Sequence, residues 1–218
     1  MNPRRMWKKR LNTAAKLAWV GLLAGGVAYF AAQQRGTPDA PPRFRTLTPD
    51  EAARAWEGGQ VLGHAEDTEA DVVVFSRYTC PFSQALFFRL DSLALGGDRQ
   101  PTVRIRHLVH PMDSVSYRAA LGMVCADLQG RSGEFHDALL RDTSQKHVGD
   151  LVSIAARTGI GDLPSFQTCL ASEEAVGSVD TDLQDGLELG ITGVPALVAG
   201  DRLVVGSVSE TELREWLR

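Results

Sequence analysis

The sequence predicts an α/β protein, a sheet covered by helices with one long helical block set into it, preceded by an N-terminal membrane segment. Three observations carry this. The β-branched runs "DVVVFS" (71–76) and "TVRIRHLV" (102–109) alternate with stretches of helical period, the signature of a sheet covered by helices. From Ser114 to about Glu188 the pattern is helical throughout, with no strand between. Residues 17–32, "LAWVGLLAGGVAYFAA", carry no charge and follow a cluster of lysine and arginine. With 218 residues, 44% of them hydrophobic, the chain has material for one sizeable core, so one domain with appendages is expected.

Charge divides the chain. Residues 1–35 hold seven basic side chains (Arg4, Arg5, Lys8, Lys9, Arg10, Lys16, Arg35) and no acidic one. The rest keeps 16 basic and 27 acidic residues, a net of −11, which is unsuited to neutralising phosphates and excludes nucleic acid as a partner. Residues 1–16 read as a basic cytoplasmic head and 17–32 as a membrane anchor or signal segment. As a helix the run spans about 24 Å, short of a hydrocarbon core of about 30 Å, though Leu11 to Ala15 and a snorkelling Lys16 extend it. Bulky Tyr29 and Phe30 at its end argue for a retained anchor, while Gly26 and Ala28 offer a cleavage pair for the alternative. The positive-inside rule places the N-terminus in the cytoplasm and the body outside it, periplasmic or extracellular. Residues 33–47, with three prolines in "QQRGTPDAPPRFRTL", read as a linker.

The folded part is expected over 48–218. "TPDE" supplies an N-cap at Thr48, a first-turn proline and Glu51 three residues on, and the helix stops at Gly58-Gly59. The segment "GQVLGHAEDTEAD" offers a short edge strand at best. "DVVVFS" suits a central strand, and "PFSQALFFRLDSLAL" a helix stopped by Gly96-Gly97. In "TVRIRHLV", Val103, Ile105 and His107 share one face. The helical insertion, about 114–188, breaks at 130–133, 146–149 and 159–164 into four or five pieces. "VPALVAGDRLVVG" reads as a β-hairpin turning at Gly200-Asp201, and "SETE" at Ser209 caps a last helix.

Cys80 stands where the first central strand hands over to a helix, and N–H groups at a helix N-terminus stabilise a thiolate there. Pro81 fits the first turn, where its missing N–H has no intrahelical partner. At this junction "FSRYTCPFS", with "AALGMVCADLQGRSGEFHDALL" in the insertion and "LGITGVPALVAGDRLVVG" near the end, resembles the DsbA-like thiol:disulfide oxidoreductases over roughly Gly59 to Arg218. The resemblance implies a thioredoxin-like fold with an inserted helical domain and Cys80 as catalytic nucleophile. It further implies a cis peptide before Pro195 in a loop lying against that sulfur. Val194, Pro195, Pro81 and Phe82 would contact an extended peptide, with Val194 offering its main chain by strand addition.

The chain departs from that family in having Ser83 where a second, resolving cysteine is usual, so this is a monothiol variant whose Ser83 hydroxyl is expected to hydrogen-bond the thiolate. Val74 stands where many relatives carry an acidic residue, and Arg77 where another is frequent, putting a cation near the sulfur. Cys125 and Cys169, 44 residues apart, are in an exported protein an even pair apart from the motif cysteine, and similar family members tie these helices with a disulfide. Closing that loop would contribute about 3 to 4 kcal/mol in the chain-entropy picture. Two buried free thiols, or pairing of either with Cys80, remain open on the residues alone.

His64, His107, His110, His136 and His147 show no metal-ligand spacing, and His136 in "GEFHDALL" reads as packed and hydrogen-bonded. Phe87 and Phe88 read as core or interdomain packing rather than a substrate groove. With neither a phosphate loop nor a dinucleotide fingerprint, no cofactor and no metal is predicted. The expected function is therefore a membrane-anchored extracytoplasmic oxidoreductase, reducing or isomerising disulfides through one cysteine. Its partners would be exported protein or peptide thiols and disulfides, and an external small thiol or a membrane redox partner. A peptide-binding or chaperone-like module without redox turnover is the alternative.

Overall fold

In the computed structural model, which describes residues 44–62, 69–95, 100–141 and 151–217, a six-stranded sheet organises the described residues. Its strands are β1 (Phe44–Thr46), β2 (Gln60–Leu62), β3 (Val72–Ser76), β4 (Val103–His107), β5 (Ala196–Ala199) and β6 (Arg202–Val205), in the order β1-β6-β5-β3-β4-β2. β3 pairs in parallel with β4, and every other pairing is antiparallel. β3 is buried at all five positions, as a central strand covered on both faces must be.

The helices are α1 (Pro49–Trp56), α2 (Pro81–Leu95), α3 (Ser114–Asp127), α4 (Ser132–Arg141), α5 (Leu151–Arg157), α6 (Leu163–Cys169), α7 (Glu173–Glu188) and α8 (Glu210–Trp216). Both predicted capping boxes form, Thr48 with Glu51 at α1 and Ser209 with Glu212 at α8. α3 to α7 constitute the insertion between β4 and β5. Its break at 170–172, where Ser172 caps α7, has no glycine to announce it. Hairpin β5–β6 turns at Gly200, whose φ of 60° is readily adopted by glycine. Two clusters form the core, and the larger joins one sheet face to α2 and the insertion through Leu86, Leu90, Ile105, Met123, Phe135 and Phe166.

The structure departs from the sequence reading in several places. The linker expected over 33–47 ends earlier, because Phe44–Thr46 add β1 to the open edge of β6 and the Leu47 N–H donates to Asp201 O at 2.7 Å. Phe88 is half exposed, although Phe87 beside it is buried. The face of β4 opposite Ile105 is also buried, because Arg106 lies there fully covered, its guanidinium bonded to Asp182 and Asp185 of α7 and to the carbonyls of Arg54 and Glu57. Among the described residues no helix is long and apolar enough to cross a membrane. The predicted anchor at 17–32, the Gly96-Gly97 stop, His64 and His147 lie outside the described residues.

Candidate active site

Strand β3 ends at Ser76, and a turn of four residues delivers Cys80 to the start of α2, the Cys80 N–H donating to Arg77 O at 3.0 Å. Pro81 is the first helical residue. The Cys80 carbonyl accepts from the Gln84 N–H at 3.1 Å, so the sulfur stands at the N-terminal end of the α2 dipole, where an anion is stabilised. Cys80 is 6% exposed.

Across from it lies the loop leading into β5. The Val194–Pro195 peptide is cis. Pro195 is buried, and its carbonyl accepts from the Gly206 N–H at 2.7 Å, which secures the loop to the end of β6. The Cys80 thiol donates to the Val194 carbonyl at 3.6 Å. Val194 itself is only partly covered, and Phe82, two residues after Cys80 in the first turn of α2, is 62% exposed.

Ser83 does not make the hydrogen bond expected of it. Its side chain is buried at the first turn of α2 with Oγ unpartnered, while the hydrogen bond of the sulfur goes to Val194. Arg77 is not a free cation either, for its Nη1 lies 3.8 Å from Asp113 Oδ2. Val74 is fully buried in the larger core cluster.

Cys125 on α3 and Cys169 at the end of α6 are joined in a disulfide, with 5.8 Å between their Cα atoms. Cys80 is the free cysteine, and with three cysteines in the chain it has no internal partner. Among the described residues no cluster of three histidine, cysteine or acidic side chains is placed to hold a metal ion.

His136 is packed and hydrogen-bonded as expected, but sequence reasoning missed its partner, Tyr78. Tyr78 is buried, its hydroxyl 2.6 Å from His136 Nδ1, and its ring centroid lies 5.5 Å from that of His136 and 6.0 Å from that of His107. His107 Nε2 pairs with Gln60 Oε1 at 2.9 Å. Burial pushes both imidazoles down from 6.5 to about 3, with Arg106 adding to it for His107 and His107 for His136. His110 is exposed, its Nδ1 accepting from the Met112 N–H.

A free cysteine at a helix start, faced by a cis-proline loop and flanked by a helical insertion, defines a class of thioredoxin-fold site. The chain belongs to the DSBA-like thioredoxin domain family, whose model matches residues 108–218. That match spans the insertion, the cis-proline loop and the hairpin, and begins downstream of Cys80. No curated protein matches the chain. Solved structures share the fold, among them the following three. The thiol-disulfide exchange protein alpha-DsbA2 from Wolbachia pipientis is 20% identical with a TM-score of 0.65, over 77% of this chain and 90% of that one. A thioredoxin-like oxidoreductase from Silicibacter pomeroyi is 25% identical at 0.62, over 78% and 96%. The catalytic domain of ScsC from Proteus mirabilis is 18% identical at 0.60, over 77% and 95%.

Proposed function

We propose that this chain is a thiol:disulfide oxidoreductase of monothiol type, acting outside the cytoplasm on disulfides of exported proteins and held to the membrane by residues 17–32. The observation that carries the reading is the placing of Cys80, a cysteine with no internal partner at a helix N-terminus, in hydrogen-bond contact with the carbonyl preceding a cis proline. Family membership supports the reaction class. The basic head and the uncharged run behind it support the location.

In the reaction the Cys80 thiolate attacks one sulfur of a substrate disulfide. The Cys80–substrate S–S bond forms, the substrate S–S bond breaks, and the electron pair leaves with the second substrate sulfur. A different substrate thiolate then attacks the mixed disulfide, making a new substrate S–S bond and returning Cys80 as thiolate. No electrons are gained or lost overall, so isomerisation needs no co-reactant. Net reduction needs two electrons, supplied by an external small thiol. With serine at position 83 the protein stores no disulfide at this site, which disfavours net oxidation.

The test is recovery of activity from a substrate protein with scrambled disulfides, comparing wild type with C80A. Faster recovery that needs Cys80 sustains the reading. Recovery equal in the two would leave the peptide-binding alternative, which the exposed Phe82 and the half-covered Val194 favour and in which Cys80 plays no chemical part. Retention of the full chain in the membrane fraction after an alkaline wash, with its body open to protease added from outside the cytoplasm, tests the location.

A further inference from the structure

Three consecutive side chains of the turn ending at Cys80 reach into the helical insertion. Arg77 meets Asp113 at 3.8 Å, Tyr78 meets His136 at 2.6 Å, and Thr79 Oγ1 meets Ser116 Oγ at 2.7 Å. They differ in weight. The Arg77–Asp113 pair is 42% and 32% exposed, where an ion pair holds weakly. The Tyr78–His136 pair is sealed, its members 6% and 5% exposed.

Burial fixes the protonation of that pair. It raises the Tyr78 phenol well above 10 and lowers His136 to about 3, so across ordinary pH both groups are neutral and share one hydrogen bond between the hydroxyl and Nδ1. The His136 ring is packed edge-on against Phe87 of α2, with centroids 4.4 Å apart. The other end of Tyr78 is held as well, for its carbonyl accepts from Gln84 Nε2 at 2.7 Å. Tyr78 is thus fastened by its hydroxyl to α4 and by its carbonyl to α2, two residues before the sulfur.

We propose that Tyr78 and His136 are positioning residues of the Cys80 site, their hydrogen bond holding the turn that aims the sulfur at the Val194 loop. Neither touches Cys80; they act through the backbone of residues 78–80. The proposal rests on the reading that Cys80 exchanges with disulfides. In-line attack on a disulfide seated beside Val194 depends on where the sulfur points, and a misplacement of about 1 Å can cost on the order of a hundredfold. Alkylation by a small freely tumbling reagent carries no such demand.

The experiment compares two rates for Cys80 in the folded protein at 15 °C, exchange with a peptide containing one disulfide and alkylation by iodoacetamide. Y78F and H136L are expected to slow exchange about tenfold or more while changing alkylation less than twofold. H136N, whose side-chain amide can take the place of Nδ1 in the hydrogen bond to the phenol, is expected to recover most of the exchange rate lost in H136L. Equal slowing of both rates, no slowing of either, or no recovery in H136N would overturn the proposal. Should H136L fail to fold, Y78F and H136N decide it. Absence of exchange in the wild type would refute the oxidoreductase reading itself, a different result from normal exchange in Y78F.

Discussion

The thiol of Cys80 and the carbonyl of Val194 meet at 3.6 Å although 114 residues of chain separate them, and the whole helical insertion is threaded between. The contact joins the start of α2 to the cis-proline loop and leaves Ser83, one turn further along α2, with its hydroxyl buried and unpartnered.

That placement makes S83C informative. Positions three apart on a helix lie about 5 to 6 Å apart, within reach of a disulfide. Oxidised S83C should show no free thiol on Ellman titration after denaturation without reductant, against one per chain in the wild type. Two free thiols in S83C would rule out the placing of Ser83 beside the sulfur.

Acid should destabilise the fold well before its carboxylates are titrated. His107 and His136 are held down to about 3 by burial, below the 6.5 of an unfolded histidine. The unfolded chain therefore takes up protons first as the pH falls, and stability is lost from about pH 6.5 down to about pH 3. Between pH 7 and pH 5 the loss should be about 2 kcal/mol per histidine. Urea titrations at the two pH values measure it, and unchanged stability would mean that the imidazoles are not sealed.

The Arg106 cluster gives a larger effect from one substitution. Asp182→Ala leaves the guanidinium, wholly buried, with only Asp185 and main-chain carbonyls, and should cost about 3 to 5 kcal/mol. Glu210→Ala, which breaks the exposed pair with Arg214, should cost less than about 0.5 kcal/mol. Denaturant midpoints compare the two directly.

Removing the disulfide tests whether it acts on stability alone. C125A/C169A should lower stability by about 4 kcal/mol through the unfolded chain. The iodoacetamide rate of Cys80, measured where the variant is still folded, should stay within twofold of wild type. A large change in that rate would tie the site to the staple.

Most of the strands and helices were legible because local rules govern them. The β-branched run of β3, the boxes at Thr48 and Ser209 and the Gly200 turn each declare themselves within a few residues. β1 was not legible, since Phe44–Thr46 become a strand only through the free edge that β6 presents. Arg106 was not either, because a charged residue in a strand signals solvent unless carboxylates arrive from elsewhere, here from α7. Cys80 could be picked out from its junction and its proline. That His136 is packed and hydrogen-bonded was legible too, but its pairing with Tyr78 was not, the two being 58 residues apart with no spacing rule to connect them.

The sequence by itself determined the alternation of elements, the single cysteine at a helix start, the lack of a second sulfur at position 83 and the charge asymmetry of the N-terminus, all properties of residue type and short spacing. The tertiary structure decided which groups surround that sulfur. It gave the hydrogen bond of the thiol to Val194 and left Ser83 without one, matched Arg77 with Asp113, and buried Tyr78 beside two imidazoles. The reason is that desolvation and hydrogen bonding depend on which surfaces are pressed together, and packing brings together residues far apart in the chain.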